Sequence, residues 1–245
     1  MRVFLRRDAN NEYMSVNFAS AAEGFRLMGW ETIGYQRIST ILPALERDDI
    51  VVDFGDESRQ ALQSLGATPP ELPTYPDPLR SFLGREIWTS TINTIAASPE
   101  RWPVFVKPCA ESKKFTGVLV RSPRDLIGCG DQQTDTPVWC SEPILFRREW
   151  RCFVRYGAIL DVRPYKGDWR VGYDYRVIEA AVAEWSEQPQ GWALDVGVDA
   201  QGRTLVVEVN DGFALGAYGL TPHDYARLLS ARWTELVGTN DECNF

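Results

Sequence analysis

Asp195, Glu208 and Asn210 are the residues of this 245-residue chain whose types and spacing point most directly to chemistry. They lie in GWALDVGVDAQGRTLVVEVNDG, Gly191 to Gly212, where two apolar stretches flank the polar turn Asp199-Ala200-Gln201-Gly202. Strand side chains alternate between faces. Glu208 and Asn210 are therefore expected on one face, and Leu205, Val207 and Val209 on the other. If residues 195 and 206 pair across the turn, Asp195 joins Glu208 on its face, diagonal to it. A two-residue change of register keeps them together, whereas a one-residue slip separates them. Carboxylate and amide oxygens converging in this way form a hard-cation site that suits magnesium. The same alternation also fits an ordinary amphipathic hairpin with its polar side in water.

Cations accumulate upstream. Lys107 ends the apolar run PVFVKP, and an ammonium there is costly to bury unless it meets an anion such as phosphate. The following CAESKKFTGV holds Ser112, Lys113, Lys114 and Gly117, a candidate loop for closing over phosphates. It lacks the GxxxxGK[ST] pattern, and a plain hairpin with solvated lysines fits it too. Ser141-Glu142-Pro143-Ile144 follows a predicted strand and can offer backbone groups to an adenine edge. In the next strand Glu149, Arg151 and Phe153 share one face. A carboxylate for ribose hydroxyls beside a guanidinium for phosphates would use that alternation directly. Arg163 and Lys166, on the paired strand, add two cations. Cross-strand ion pairing of Glu149 with Arg151 or Arg163 is the structural alternative.

These residues need a scaffold, and the pattern supplies one. Strands are predicted at 2–5, 31–37 and 50–54, with helices at 18–28 and 57–65 ended by Gly29 and Gly66. That alternation implies a small parallel α/β unit. The proline-rich stretch 68–76 reads as a linker. A helix is predicted over 79–97, then strands at 104–107, 117–121, 138–142, 149–156 and 158–165, the hairpin, and helices at 177–187 and 222–237. Thr221 and Pro222 mark the last helix start as N-cap and first helical residue, so the single histidine, His223, reads as part of a helix start. Trp169, Tyr173, Tyr175 and Arg176, in a connecting segment, could line a substrate pocket or belong to an ordinary surface loop.

Composition excludes several classes. One histidine disfavours a Ser-His-Asp system or His-ligated zinc. The five cysteines lack CxxC spacing and predict reduced thiols in a cytoplasm. No apolar run is long enough to cross a bilayer, and a net charge of −8 argues against broad binding to nucleic acid.

The ordered set Lys107, Glu142-Pro143-Ile144, Glu149-x-Arg151-x-Phe153-Val154, Arg163, Asp195 and Glu208-Val209-Asn210 resembles the ATP-grasp superfamily. The trio Arg151, Arg163 and Lys166 resembles its small divergent clade marked by two arginines and a lysine. The resemblance implies an α/β (α+β) ATP-grasp fold, in which two α/β subdomains grip ATP behind a small parallel α/β N-terminal domain. It places the N-terminal domain at 1–76 and the ATP-grasp domain at 77–245, divided into 77–140 and 141–245. It assigns Lys107, Lys114, Glu142, Ile144 and Glu149 to ATP, Arg151, Arg163 and Lys166 to catalysis, and Asp195, Glu208 and Asn210 to Mg2+. The implied reaction is ATP-dependent joining of a carboxylate, on a small molecule or peptide, to an amine acceptor through an acyl phosphate. The alternatives are a nucleotide-binding module without ligase activity, against which the intact metal trio argues, and another phosphotransfer enzyme, of which a nucleotidyl ligase would want a Lys-x-Asp-Gly that Lys107-Pro108-Cys109-Ala110 lacks.

Overall fold

Val3, Phe4 and Leu5 are buried, as are Ile50, Val51 and Val52, because each triplet lies in a strand covered on both faces. The computed structural model describes residues 1–69, 71–109, 115–130 and 134–245. It divides into two compact units: Met1–Phe82 with Phe146–Phe245, and Leu83–Leu145.

In the first unit, β1 (Arg2–Arg6) is the middle strand of a parallel sheet between β2 (Glu31–Tyr35) and β3 (Ile50–Val52). Helix α1 (Val16–Leu27) is the β1–β2 crossover, capped by the Ser15 hydroxyl accepting from the Asn17 N–H at 3.2 Å. Helix α2 (Gly55–Ser64) follows β3. The same unit holds an antiparallel sheet of β8 (Phe146–Arg155), β9 (Ala158–Gly167), β10 (Gly191–Asp199) and β11 (Thr204–Asp211), in the order β11-β10-β8-β9. Helix α4 (Tyr175–Glu184) lies between β9 and β10, and α5 (Pro222–Val237) ends the chain with Thr221 as cap, Pro222 in the first turn and Gly238 left-handed at φ 73°. Phe153 and Ala193 of this sheet share one core with Phe25, Tyr225, Leu228 and Trp233. Residues 1–69 and the four-stranded sheet are thus joined by continuous apolar packing.

The second unit holds β4 (Ile87–Thr91), α3 (Ile92–Ala96), β5 (Val104–Pro108), β6 (Val118–Val120) and β7 (Pro137–Ser141). Its sheet order is β4-β7-β5-β6, antiparallel throughout. Val104, Val106, Val138 and Cys140 bury against Ile92 and Ile95.

The helix predicted over 79–97 does not form as such. A 3-10 segment covers Asp77–Phe82, Gly84 turns the chain at φ 61°, and Ile87-Trp88-Thr89-Ser90-Thr91 pairs with β7. The β-branched and aromatic run favours a strand once a partner is present, and only α3, capped by Thr91, stays helical. The stretch 68–76 contributes Thr74, whose carbonyl accepts from the Val209 N–H at 3.0 Å and occupies the free edge of β11. All five cysteines are free thiols. Among the described residues, no helix is long and apolar enough to cross a membrane.

Gly24 sets how closely α1 approaches α5. A Cβ there would stand 1.9 Å from the Pro222 carbonyl oxygen. Gly24→Ala is therefore expected to destabilise the protein by about 1–3 kcal/mol, read as a lower urea midpoint at unchanged slope. An unchanged midpoint would show that the helix contact is not tight.

Candidate active site

Four charged side chains form one row across the four-stranded sheet. Glu208 on β11 opposes Asp195 on β10, Asp195 opposes Arg151 on β8, and Arg151 opposes Arg163 on β9. Directly opposed residues share a face, so the row reads carboxylate, carboxylate, guanidinium, guanidinium. One step along the strands, Glu149 opposes Lys166. One step the other way, Asn210 opposes Ala193, beside Phe153.

Two β-bulges create this grouping. Asp195 pairs with Glu208 while Val196 pairs with Val206, so Val207 is the extra residue. The expected 195–206 pairing does not occur, but the expected sharing of a face does. Continuing the register of the turn end would set Asp195 against Val207 and send Glu208 to the other face. Leu205, expected opposite the ligands, lies on their face across from Gly197. On β9 the extra residue is Tyr165, because Glu149 pairs with Lys166 and Trp150 with Pro164. Arg163 and Lys166 are three residues apart and would point to opposite faces of a regular strand; the bulge brings them together.

At the centre, Arg151 Nε and Nη2 donate to the two oxygens of Asp195, each at 2.7 Å, and Asn210 Nδ2 donates to Asp195 Oδ2 at 3.1 Å. Asp195 is 2 % exposed and Arg151 7 %. A two-pronged, charge-assisted contact of this kind is a strong one in a dry setting, and burial still pushes the Asp195 carboxyl up against the lowering effect of Arg151. Burial works against the Arg151 guanidinium, yet the hydrogen bond and charge of Asp195 hold its pKa above the ordinary value. The Arg151 Cζ stands 4.7 Å from the Tyr218 ring centroid, and Tyr218 packs against Tyr165 at 5.3 Å.

Glu149 is bound by Lys166 Nζ at 2.5 Å and by the Tyr165 hydroxyl at 3.0 Å. Arg163 Nε lies 2.7 Å from Asp161. Neither arginine pairs with Glu149; the cross-strand pairs that form are Arg151 with Asp195 and Lys166 with Glu149. Burial first, then the nearby Asp195 and Glu149, push the Tyr165 phenol up, so it stays a hydrogen-bond donor. The opposite face of the sheet is apolar: Trp192 packs on Trp185 at 4.8 Å, and burial pushes the Cys152 thiol up to about 12.

The donor set fits a magnesium ion. Asp195, Glu208 and Asn210 bring hard oxygen atoms to one face, and magnesium in nucleotide sites is commonly held by one or two carboxylates, with phosphate and water completing its shell. Asp195 already accepts from Arg151 and Asn210. Among the described residues there is no group of three or more His, Cys, Asp or Glu side chains suited to a metal.

The remaining sequence candidates lie in the second unit. Lys107 is half-buried on β5 opposite Trp139, on the sheet face away from Val104 and Val106. Glu142 is exposed, Ile144 half-buried, and Glu142 Oε2 accepts from the Glu86 N–H at 3.1 Å. Lys114, with Ser112 and Lys113, lies outside the described residues. In the first unit, Trp169 and Tyr175 are exposed and Tyr173 meets Trp150 edge-on, with ring centroids 5.2 Å apart. Sequence reasoning missed Tyr165 and Tyr218 as site residues. Alternation alone gives no sign of Tyr165, because a bulge delivers it. Tyr218 comes from a loop, at φ 45° between Leu215 and Leu220, and only its Gly216 and Gly219 neighbours hint at an unusual turn.

A comparison with curated protein sequences found no match. Solved structures share the fold. D-alanine–D-alanine ligase from Bacillus anthracis aligns with a TM-score of 0.59 at 14% identity, over 97% of this chain and 98% of its own. N5-carboxyaminoimidazole synthetase from Staphylococcus aureus aligns at 0.62 and 12%, over 98% and 77%. The macrocyclase MdnC from Microcystis aeruginosa, solved bound with the precursor peptide MdnA, aligns at 0.51 and 14%, over 98% and 100%. Residues 82–228, more than half of the chain, match the family described as ATP-grasp domain, R2K clade family 2. With that match added to the ordered charges of the sheet, this chain belongs to the ATP-grasp superfamily, in R2K clade family 2.

Proposed function

We propose that this protein is an ATP- and magnesium-dependent carboxylate–amine ligase working through an acyl phosphate, in a cytoplasmic setting. The row Glu208, Asp195, Arg151, Arg163 carries the proposal. It separates a carboxylate pair, suited to a divalent cation, from a guanidinium pair, suited to phosphate oxygens, on one buried-to-open sheet face. We read residues 1–76 as an N-terminal domain preceding an ATP-grasp region, 77–245.

Asp195, Glu208 and Asn210 would hold magnesium, which supplies charge neutralisation at the phosphates of ATP when bound. Lys107 and Lys114 would contact phosphates, and Glu142 and Ile144 would flank adenine through their backbones. Glu149 would orient the ribose while Lys166 and Tyr165 hold its carboxylate in place. A substrate carboxylate oxygen attacks the γ-phosphorus, and the bond from that phosphorus to the ADP oxygen breaks. Arg151, Arg163 and Lys166 stabilise the negative charge spread over the transferring group. An amine then attacks the acyl carbon, phosphate leaves, and the amine loses a proton to give the amide. The acid is a small molecule or a peptide, and the hydrophobic and charged side chains of 167–176 are candidates to select it.

Purified protein with magnesium and ATP is expected to release ADP only when an acid and an amine are both supplied, in a screen of amino acids and peptides. ADP release independent of any acid would contradict a ligase. With an active pair in hand, Arg163→Ala is expected to lower kcat by roughly a hundredfold with the fold intact, by loss of transition-state charge stabilisation. Lys107→Ala is expected to raise the KM for ATP. Unchanged kinetics in either variant would remove that residue from its assigned role.

A further inference from the structure

We infer that Arg151 is a displaceable internal cation: it occupies Asp195 until a divalent metal takes that carboxylate, and it then turns to phosphate. The inference rests on the magnesium–nucleotide reading above and adds a competition between a side chain and the metal for one ligand.

The contacts on Asp195 are the basis for an exchange. Both oxygens of Asp195 accept from Arg151 at 2.7 Å, and one also accepts from Asn210. With Asp195 2 % exposed, the fork covers the approach that a cation would need. A metal ion and a guanidinium cannot share the same in-plane lone pairs. The row also explains why the exchange is balanced. Glu208 sits beside Asp195 with like charge, so the carboxylate end gains from a divalent cation more than one guanidinium can supply. Arg163 sits beside Arg151 with like charge, so the guanidinium end gains from a polyanion. In the structure the inner two charges neutralise each other. Arg163 itself rests against Asp161 at 2.7 Å. The Tyr218 ring, 4.7 Å from the Arg151 Cζ, gives the guanidinium a face to slide on while it changes partners.

The pair also has a reason to exist before loading. A buried carboxylate left alone is costly, and so is removing one member of such a pair. Arg151 therefore keeps this sheet face folded before metal binds, and metal affinity is lowered by the strength of the contact that must be broken. Nucleotide phosphates, by engaging Arg151, should raise metal affinity, and the coupling is reciprocal.

The test is Mn2+ affinity without nucleotide, measured by electron paramagnetic resonance titration on the full chain. Arg151→Gln is expected to bind Mn2+ roughly tenfold more tightly than wild type or better. Arg151→Lys, which keeps a charge but loses the fork, is expected to fall between them. Arg151→Gln/Asp195→Asn is expected to lose the gain. A nonhydrolysable ATP analogue should tighten Mn2+ binding in wild type and much less in Arg151→Gln. If Arg151→Gln unfolds, refolding on adding Mn2+ supports the exchange, and the Arg151→Lys titration decides it otherwise. Equal or weaker Mn2+ binding in both Arg151 variants would overturn the inference while leaving the magnesium reading standing. No Mn2+ binding in any form, with or without the analogue, would overturn both.

Discussion

The contact between Arg151 and Asp195 is the constraint around which the sheet is arranged. A carboxylate and a guanidinium that are each more than nine-tenths buried must meet in good geometry or the strands cannot stay paired. Here they do so directly across β8 and β10, with Asn210 adding a third hydrogen bond to Asp195. Next to them Phe153 and Ala193 enter the core beneath α5, and two residues the other way the buried Glu149 is met by Lys166, which reaches in from solvent. The pair marks the depth at which the sheet changes from packing surface to chemical surface.

The bulges at Val207 and Tyr165 are equally consequential because strand periodicity is unforgiving. One extra residue on β11 brings Glu208 beside Asp195, and one on β9 brings Lys166 beside Glu149. Without them the same sequence would scatter two carboxylates and two cations over both faces of the sheet. Each bulge costs some ladder hydrogen bonding, and the grouped charges are what the sheet gains in exchange.

Much of this was legible in the sequence. The hairpin, its turn, and the shared face of Glu208 and Asn210 follow from alternation and the polar turn, whereas Asp195 joins that face through the bulge at Val207 and not through the expected 195–206 pairing. The parallel order of β1, β2 and β3 follows from the strand–helix pattern, and α5 from its Thr221-Pro222 start and Gly238 end. The bulges were not legible, since nothing in LVVEV or RPYKG marks which residue is extra. Nor was the strand hidden in 79–97, whose identity depends on the β7 partner it finds far along the chain. The resemblance to ATP-grasp proteins named the charged residues but not their present partners. Arg151 neutralises a carboxylate here, a partner that the sequence did not name.

The most direct test of the account is a crystal structure of the full chain with Mn2+ and a nonhydrolysable ATP analogue, locating the metal by its anomalous scattering. The account predicts metal density against Asp195, Glu208 and Asn210, with the Arg151 guanidinium moved from Asp195 onto phosphate oxygens beside Arg163. Nucleotide bound with the Arg151–Asp195 fork intact, and metal absent from that face, would contradict it.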